Sequence, residues 1–299
     1  MKRIFAYLFI SALGISLFSC QDDALTDTVS EEATLKSATI ALTDSKLEAA
    51  LTEAEYESDF YSGIVSVLGH GRLPGVKFGW KDPIHYKTGK GPEITVSNTG
   101  STYPKTITLD YGDSTEIHHG RILSGVVTIE ISAAPRTNGA TRTITYTDFG
   151  VDSVTVNGVS KAVFSGDNTT SAIENYTEKI TFKYLNGTEI TWNGAKKREW
   201  VEGLGTELVR SDDVINITGS SNASITGGSV YVKEIIKPLV RKGSCRYIVS
   251  GVIRLTVDAK LVSSLDYGSG DCDAEAVLTK DGTTVTLDLT KNEPPHKKK

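Results

Sequence analysis

The sequence is short of the residues that usually carry chemistry. Its 299 residues include three cysteines, five histidines and one methionine, the initiator. It has no Gly-x-Ser-x-Gly elbow and no His-Glu-x-x-His pair, and none of its cysteines sits in a context that would free a thiolate. The Asp and Glu residues, 37 in all, are too many to single out a glycosidase couple, whose spacing across a fold sequence does not reveal. The chain is therefore expected not to be an enzyme, with a hydrolase as the residual alternative, and no cofactor is expected. A large basic patch is also missing. The formal charge of −5 becomes −7 if Lys2 and Arg3 are removed with a leader, which excludes nucleic acid as an expected partner. Beyond the N-terminus no apolar run is long enough to span a bilayer, and no helical stretches of crossover length alternate with the strand-like segments, which excludes a parallel α/β sheet.

The N-terminus has three zones. Lys2 and Arg3 precede an apolar run from Ile4 through Phe18, and small Ser19 comes just before Cys20. This pattern reads as a signal peptide over 1–19 rather than a retained transmembrane helix. Leu17-Phe18-Ser19-Cys20 resembles the lipobox of bacterial lipoproteins, in which Cys20 is alkylated by diacylglycerol and its freed amine is acylated. Each buried methylene contributes about 0.8 kcal/mol, so two or more acyl chains make a stable anchor where one does not. Gln21-Asp22-Asp23 after Cys20 resembles the acidic surface-export signal of Bacteroidetes-type lipoproteins. The expected address is thus the outer membrane, held by lipid and facing the cell surface, with the membrane as the first partner.

With Cys20 assigned to lipid, Cys245 and Cys272 remain as an even pair in an oxidising compartment and are expected to form a disulfide. The alternative, two thiolates on a metal, lacks C-x-x-C spacing. Residues 20–43 read as a flexible acidic tether. Within 44–92, Asp44 or Ser45 can cap a short helix through Leu47, Leu51, Ala54 and Tyr56 to about Ser62, followed by a Gly/Pro-rich linker. Over 93–290 the period changes to two, as in Thr106-Ile107-Thr108-Leu109, Val126-Val127-Thr128-Ile129, Thr143-Ile144-Thr145-Tyr146, Val154-Thr155-Val156, Ile180-Thr181-Phe182 and Ile190-Thr191-Trp192. Asn138-Gly139, Asn157-Gly158, Asn186-Gly187 and Asp281-Gly282 supply four candidate type I′ turns. The expected fold is mainly β, an antiparallel sandwich or extended meander with a short N-terminal helix, and the tail 291–299 reads as disordered.

Two echoes suggest related halves. Leu109-Asp110-Tyr111-Gly112 returns as Leu265-Asp266-Tyr267-Gly268, and Ser124-Gly125-Val126-Val127 as Ser250-Gly251-Val252-Ile253, with the order of the two elements reversed. These elements, with Arg198-Glu199-Trp200, Asp213 to Gly219, Lys237-Pro238-Leu239 and the segments around Cys245 and Cys272, give 106–289 a likeness to a known group. Over this span the chain resembles uncharacterised surface lipoproteins of Bacteroidetes-type bacteria. The resemblance implies an address and a β fold but no activity. Where that group has a cysteine soon after its first Asp-aromatic-Gly element, Asp113-Ser114-Thr115 stands here.

Four site readings follow. Asp266, Asp271, Asp273 and Glu275 cluster around a glycine turn and are candidate Ca²⁺ ligands. His118 and His119 are adjacent, which suits joint ligation of one metal badly if they lie on a strand. Trp200, beside Lys196, Lys197, Arg198 and Glu199, is the tryptophan best placed for exposure and for stacking on a sugar, whereas Trp192 alternates with Ile190 as core. Asp27-Thr28-Val29 and Asp152-Ser153-Val154 resemble acceptor sites for O-glycosylation. The expected role is a binding or structural module whose partner is an envelope protein, with a glycan-binding accessory protein as the alternative.

Overall fold

The computed structural model describes the backbone of residues 22–68, 91–97, 102–116, 122–206, 209 and 211–290, with side chains of the first segment described over 31–66. It contains one helix, α1 (Asp22–Leu68), and fourteen strands. These are β1 (Glu93–Val96), β2 (Lys105–Asp110), β3 (Thr115–Glu116), β4 (Ile122–Ile131), β5 (Thr141–Val151), β6 (Val154–Gly166) and β7 (Ala172–Tyr184). The second half comprises β8 (Glu189–Glu202), β9 (Val214–Ile225), β10 (Val230–Lys242), β11 (Ile248–Val257), β12 (Leu261–Ser269), β13 (Glu275–Lys280) and β14 (Thr283–Asp288). All strands but β3 follow one another in a single antiparallel meander, and β3 pairs with the start of β4. The meander expected from the turn residues therefore forms, in one sheet rather than two facing ones.

The helix corrects the expected tether. No proline precedes Pro74, and Gly63 is the one glycine between Asp22 and Leu68, so nothing in the sequence interrupts helix formation over this stretch. Ser37, Ala38, Ile40 and Ala41, assigned above to a flexible tether, are buried. From Ala50 to Val65 nearly every side chain is buried whichever way it points. A helix buried on all sides must be enclosed, and here the sheet encloses it.

Polar contacts trace the wrapping. Lys36 at the start of the helix bonds Asp258 in the β11–β12 turn at 2.6 Å, Lys233 of β10 meets Asp44 and Glu48, and Lys196 of β8 meets Glu48 and Glu55. Further along, Asp59 meets Arg198 of β8 and Arg142 of β5, and the Tyr103 hydroxyl donates to Ser66. Strands from across the sheet thus meet the helix at points along its length, as expected of a sheet curled around it. The curl also brings Arg246, after β10, within 3.9 Å of Asp152 in the β5–β6 turn.

Bulges at glycines permit the bending. Gly125 and Gly251 adopt φ of 73° and 113°, and an added Cβ would lie 2.1 Å from the Asp148 carbonyl oxygen or 2.4 Å from that of Pro238. Only glycine fits both the backbone angle and the approach. The echoes noted in the sequence form the same pair in space. Leu109 faces Val127 and Asp110 faces Val126 across β2–β4, and Leu265 faces Ile253 and Asp266 faces Val252 across β12–β11. An antiparallel pair reads alike in either chain order, which is why the reversed order still builds one geometry. Both tyrosines of the repeated element turn inward onto the helix, Tyr111 donating to Glu57 and Tyr267 meeting the Ser45 hydroxyl at 3.2 Å.

The expected type I′ geometry is present at Asp281-Gly282, where both residues have positive φ; Asn186-Gly187 also lies where the chain reverses, between β7 and β8, but only Gly187 has positive φ, so that turn is not type I′. Asn138-Gly139 lies in the longer β4–β5 connection. Asn157-Gly158 is a correction: it lies inside β6, and the chain reverses instead at Asp152-Ser153. The expected disulfide is present, with Cα atoms of Cys245 and Cys272 5.7 Å apart. It ties the β10–β11 connection to the β12–β13 connection and closes a 27-residue separation, a constraint worth about 3 kcal/mol through the unfolded chain. Among the described residues no helix is long and apolar enough to cross a membrane.

Candidate functional site

The interior is charged where a β protein is ordinarily apolar. Asp44, Glu48, Glu55 and Asp59 fall at spacings of four and seven and form one stripe along α1. Opposite them, alternate inward positions of β8 supply Lys196 and Arg198, β7 supplies Glu174 and Glu178, β5 supplies Arg142 and β10 supplies Lys233. Lys196 Nζ lies 2.7 Å from Glu55, 2.9 Å from Glu178 and 3.5 Å from Glu48, and Lys233 lies 2.7 Å from Glu48 and 3.4 Å from Asp44. Arg198 spans Glu55, Asp59 and Glu174 at 3.5, 3.1 and 3.5 Å and donates to the Tyr176 hydroxyl at 2.9 Å. Gly194 is the space-maker beside this network, since a Cβ there would lie 2.6 Å from Glu178 Oε2 and 2.9 Å from the Trp192 indole nitrogen.

Four cations thus face six carboxylates in a region with little water. Burial pushes Asp44 up to about 6, against the pull of Lys233. Burial would raise Glu48 as well, but the ammonium groups of Lys233 and Lys196 outweigh it and hold that carboxyl at about 2. Glu55 is raised by burial despite Lys196 and Arg198. Burial disfavours the charge on Lys196, yet Glu178, Glu55 and Glu48 together hold its pKa well above the ordinary lysine value. The cations and carboxylates of this stripe satisfy one another, so its chemistry is cohesive.

The exception lies where the charged stripe reaches the start of β5, β7 and β9 and the end of β8 and β10. A cavity of about 50 Å³ opens there beside Tyr56, Asp59 and Gly63 of the helix. Four guanidinium groups line it, those of Arg136, Arg142, Arg198 and Arg241, with three carboxylates, Asp59, Glu174 and Asp213. Trp200 forms part of the wall and is flanked by the Arg136 and Arg198 guanidinium carbons, 4.8 and 4.9 Å from its ring centroid. In this wall Trp200 Nε1, Arg142 Nε and the Ser62 hydroxyl are buried and have no hydrogen-bond partner in the protein. Arg136, in the β4–β5 connection near the cavity mouth, is steadied by Asn168 at 3.0 Å.

Two candidate sites raised by the sequence, the Ca²⁺ cluster and the Trp200 platform, do not assemble among the described residues. Asp266 accepts from the Gly268 amide and Asp273 from the Glu275 amide, each closing its own turn, and no three possible ligands among the described residues converge on a point, so Asp266, Asp271, Asp273 and Glu275 are not a Ca²⁺ site here. Trp200 is buried at 5% exposure, which corrects the expectation of an exposed stacking ring. Its position alternates with Lys196 and Arg198, so these two of the four neighbouring charges point inward with it, while Lys197 and Glu199 face solvent. Trp192 is core as expected, edge-on to Phe182 at 5.9 Å. A shallow groove of about 530 Å³ on the outer face of β6–β9 is lined by Lys161, Lys179, Thr177, Asn193, Ser220 and Asn222, without an aromatic face for a sugar.

His118, His119, Cys20 and the leader lie outside the described residues, as do the side chains of Asp27, Thr28 and Val29. Ser153, in the second acceptor-like motif, receives a hydrogen bond from Lys46 at 2.9 Å. Comparison with known proteins adds no further constraint. No family model, no curated protein and no solved structure matches the chain. Sequence reasoning had missed Arg136, Arg142, Asp213 and Arg241. Inward-pointing arginine at strand termini is a usable signal, but it becomes visible only once the strand register is known.

Proposed function

We propose that the protein is a lipid-anchored binding module of the outer-membrane surface, with the arginine-walled cavity as its recognition site. The observation that carries the binding role is the preformed cavity itself, which combines Trp200 and Arg142 donors lacking any protein acceptor with four guanidinium groups held by a rigid surround. Its lining holds four guanidinium groups and the Trp200 indole, donors that suit holding a ligand.

The proposed anchor and the cavity are joined by a single element. The helix begins two residues after Cys20 and first lines the cavity at Tyr56. At about 1.5 Å per residue this is about 50 Å along the axis. A lipid on Cys20 would then tie the membrane directly to the central helix and hold the cavity away from the bilayer. Palmitate labelling of cells making the wild-type chain or Cys20→Ala tests the address, together with protease shaving of intact cells. Label on the wild type alone and loss of the protein on shaving are expected. An unlabelled wild-type chain, or one protected until the cells are broken, would overturn it.

A further inference from the structure

We infer that the cavity recognises an oxyanion, the carboxylate or phosphate group of a small molecule. The inference rests on reading this cavity as the recognition site. Each carboxylate of the wall faces arginine: Glu174 holds Arg142 at 2.8 Å and Arg198 at 3.5 Å, Asp59 holds the same two arginines, and Asp213 lies 4.0 Å from Arg136. The nitrogen groups that the wall still offers a ligand are donors, beside a Ser62 hydroxyl that can donate or accept. Arg142 Nε and Trp200 Nε1 have no acceptor, and Arg136 contributes a guanidinium whose nearest carboxylate, Asp213, is 4.0 Å away. A buried N–H left without an acceptor forfeits its hydration with nothing in return, so an acceptor at this place is favoured.

Charge and size select the kind of acceptor. Guanidinium groups outnumber carboxylates in the lining by four to three, so an anion is matched and a cation is not. At about 10–15 Å³ per water-sized group, a cavity of about 50 Å³ admits about four such groups. That is the compass of a carboxylate or phosphate head, while the rest of a larger ligand would extend past Ala133, Pro135 and Arg136 toward solvent.

The Trp200 indole N–H reports directly on an acceptor placed against it. The lipidated full chain in detergent, labelled with ¹⁵N, would be titrated with inorganic phosphate, acetate and neutral acetamide at ionic strength held constant with chloride. Trp200→Phe identifies the resonance. A saturable shift of that signal with phosphate or acetate, absent with acetamide, is expected, and the anion that saturates first identifies the head group. Arg136→Gln, outside the inner Asp59 and Glu174 pairs, should weaken binding about tenfold or more, the effect of losing one charge-assisted hydrogen bond. A shift with acetamide equal to that with acetate would overturn the oxyanion while leaving a recognition site. No shift beyond the chloride control with any probe would overturn both. An Arg136→Gln chain that keeps its melting temperature and binds as tightly as wild type would also contradict the inference.

Discussion

Lys196 shows what single residues do in this interior. Its ammonium group serves Glu48, Glu55 and Glu178 at once and is 8% exposed. Removing one member of a buried ionic cluster leaves the others uncompensated, at a cost of about 3–5 kcal/mol. Lys196→Met should therefore lower the unfolding free energy by about that amount in urea titrations, although methionine fills similar volume. Asp44 acts in the opposite sense. Between its ordinary value of 3.8 and the raised value of about 6, the folded chain keeps a proton that the unfolded chain has released. Its contribution to stability therefore falls as pH rises through that window. Glu48, lowered from 4.5 to about 2, contributes stability that is fully present above pH 4.5 and lost as pH drops toward 2. Urea midpoints measured from pH 3 to 7 should show Asp44→Asn losing the decline between about 4 and 6 that the wild type displays, while the acid limb due to Glu48 persists.

At the scale of elements, the sheet depends on glycines that let strands approach and bend. Gly251→Ala should destabilise by about 2 kcal/mol or more, from φ of 113° combined with a 2.4 Å contact to Pro238. Gly139→Ala, with φ of 78° but nothing within 4 Å, should cost only about 1 kcal/mol, the conformational part alone. Thermal unfolding of the two variants separates close approach from backbone angle. Strands β2, β4 and β5 were legible in the sequence because, apart from Lys105 and Arg142, their inward positions are mainly Ile, Leu, Val and aromatic residues. The outer lengths of β7 and β8 were not, because Glu174, Glu178, Lys196 and Arg198 occupy inward positions and imitate a solvated pattern. The first half of the helix was misread for a related reason. Its buried positions, Ser37, Ala38, Ala41 and Asp44, are small or polar and carry the composition of a linker. The cavity was hidden more deeply, since Arg136, Arg142, Arg198 and Arg241 meet only after the sheet has curled.

In the whole molecule, an acidic helix meets a sheet whose inward face carries the complementary charge. Neither half is a stable solution alone, because each would expose or strand its charges. If Cys20 bears the lipid, force on the anchor passes into the centre of the fold rather than into a slack linker. This arrangement separates a plug from a tether in one observable: a helix held inside the sheet exchanges its amide hydrogens only when the surrounding structure opens. Hydrogen exchange followed by mass spectrometry of peptides covering 44–65, compared with peptides from β7 and β8, is the most direct measurement. Protection of the helix close to that of the two strands, falling with theirs in Lys196→Met, is the expected result. Exchange of 44–65 within seconds while β7 and β8 stay protected would contradict the central role given to the helix.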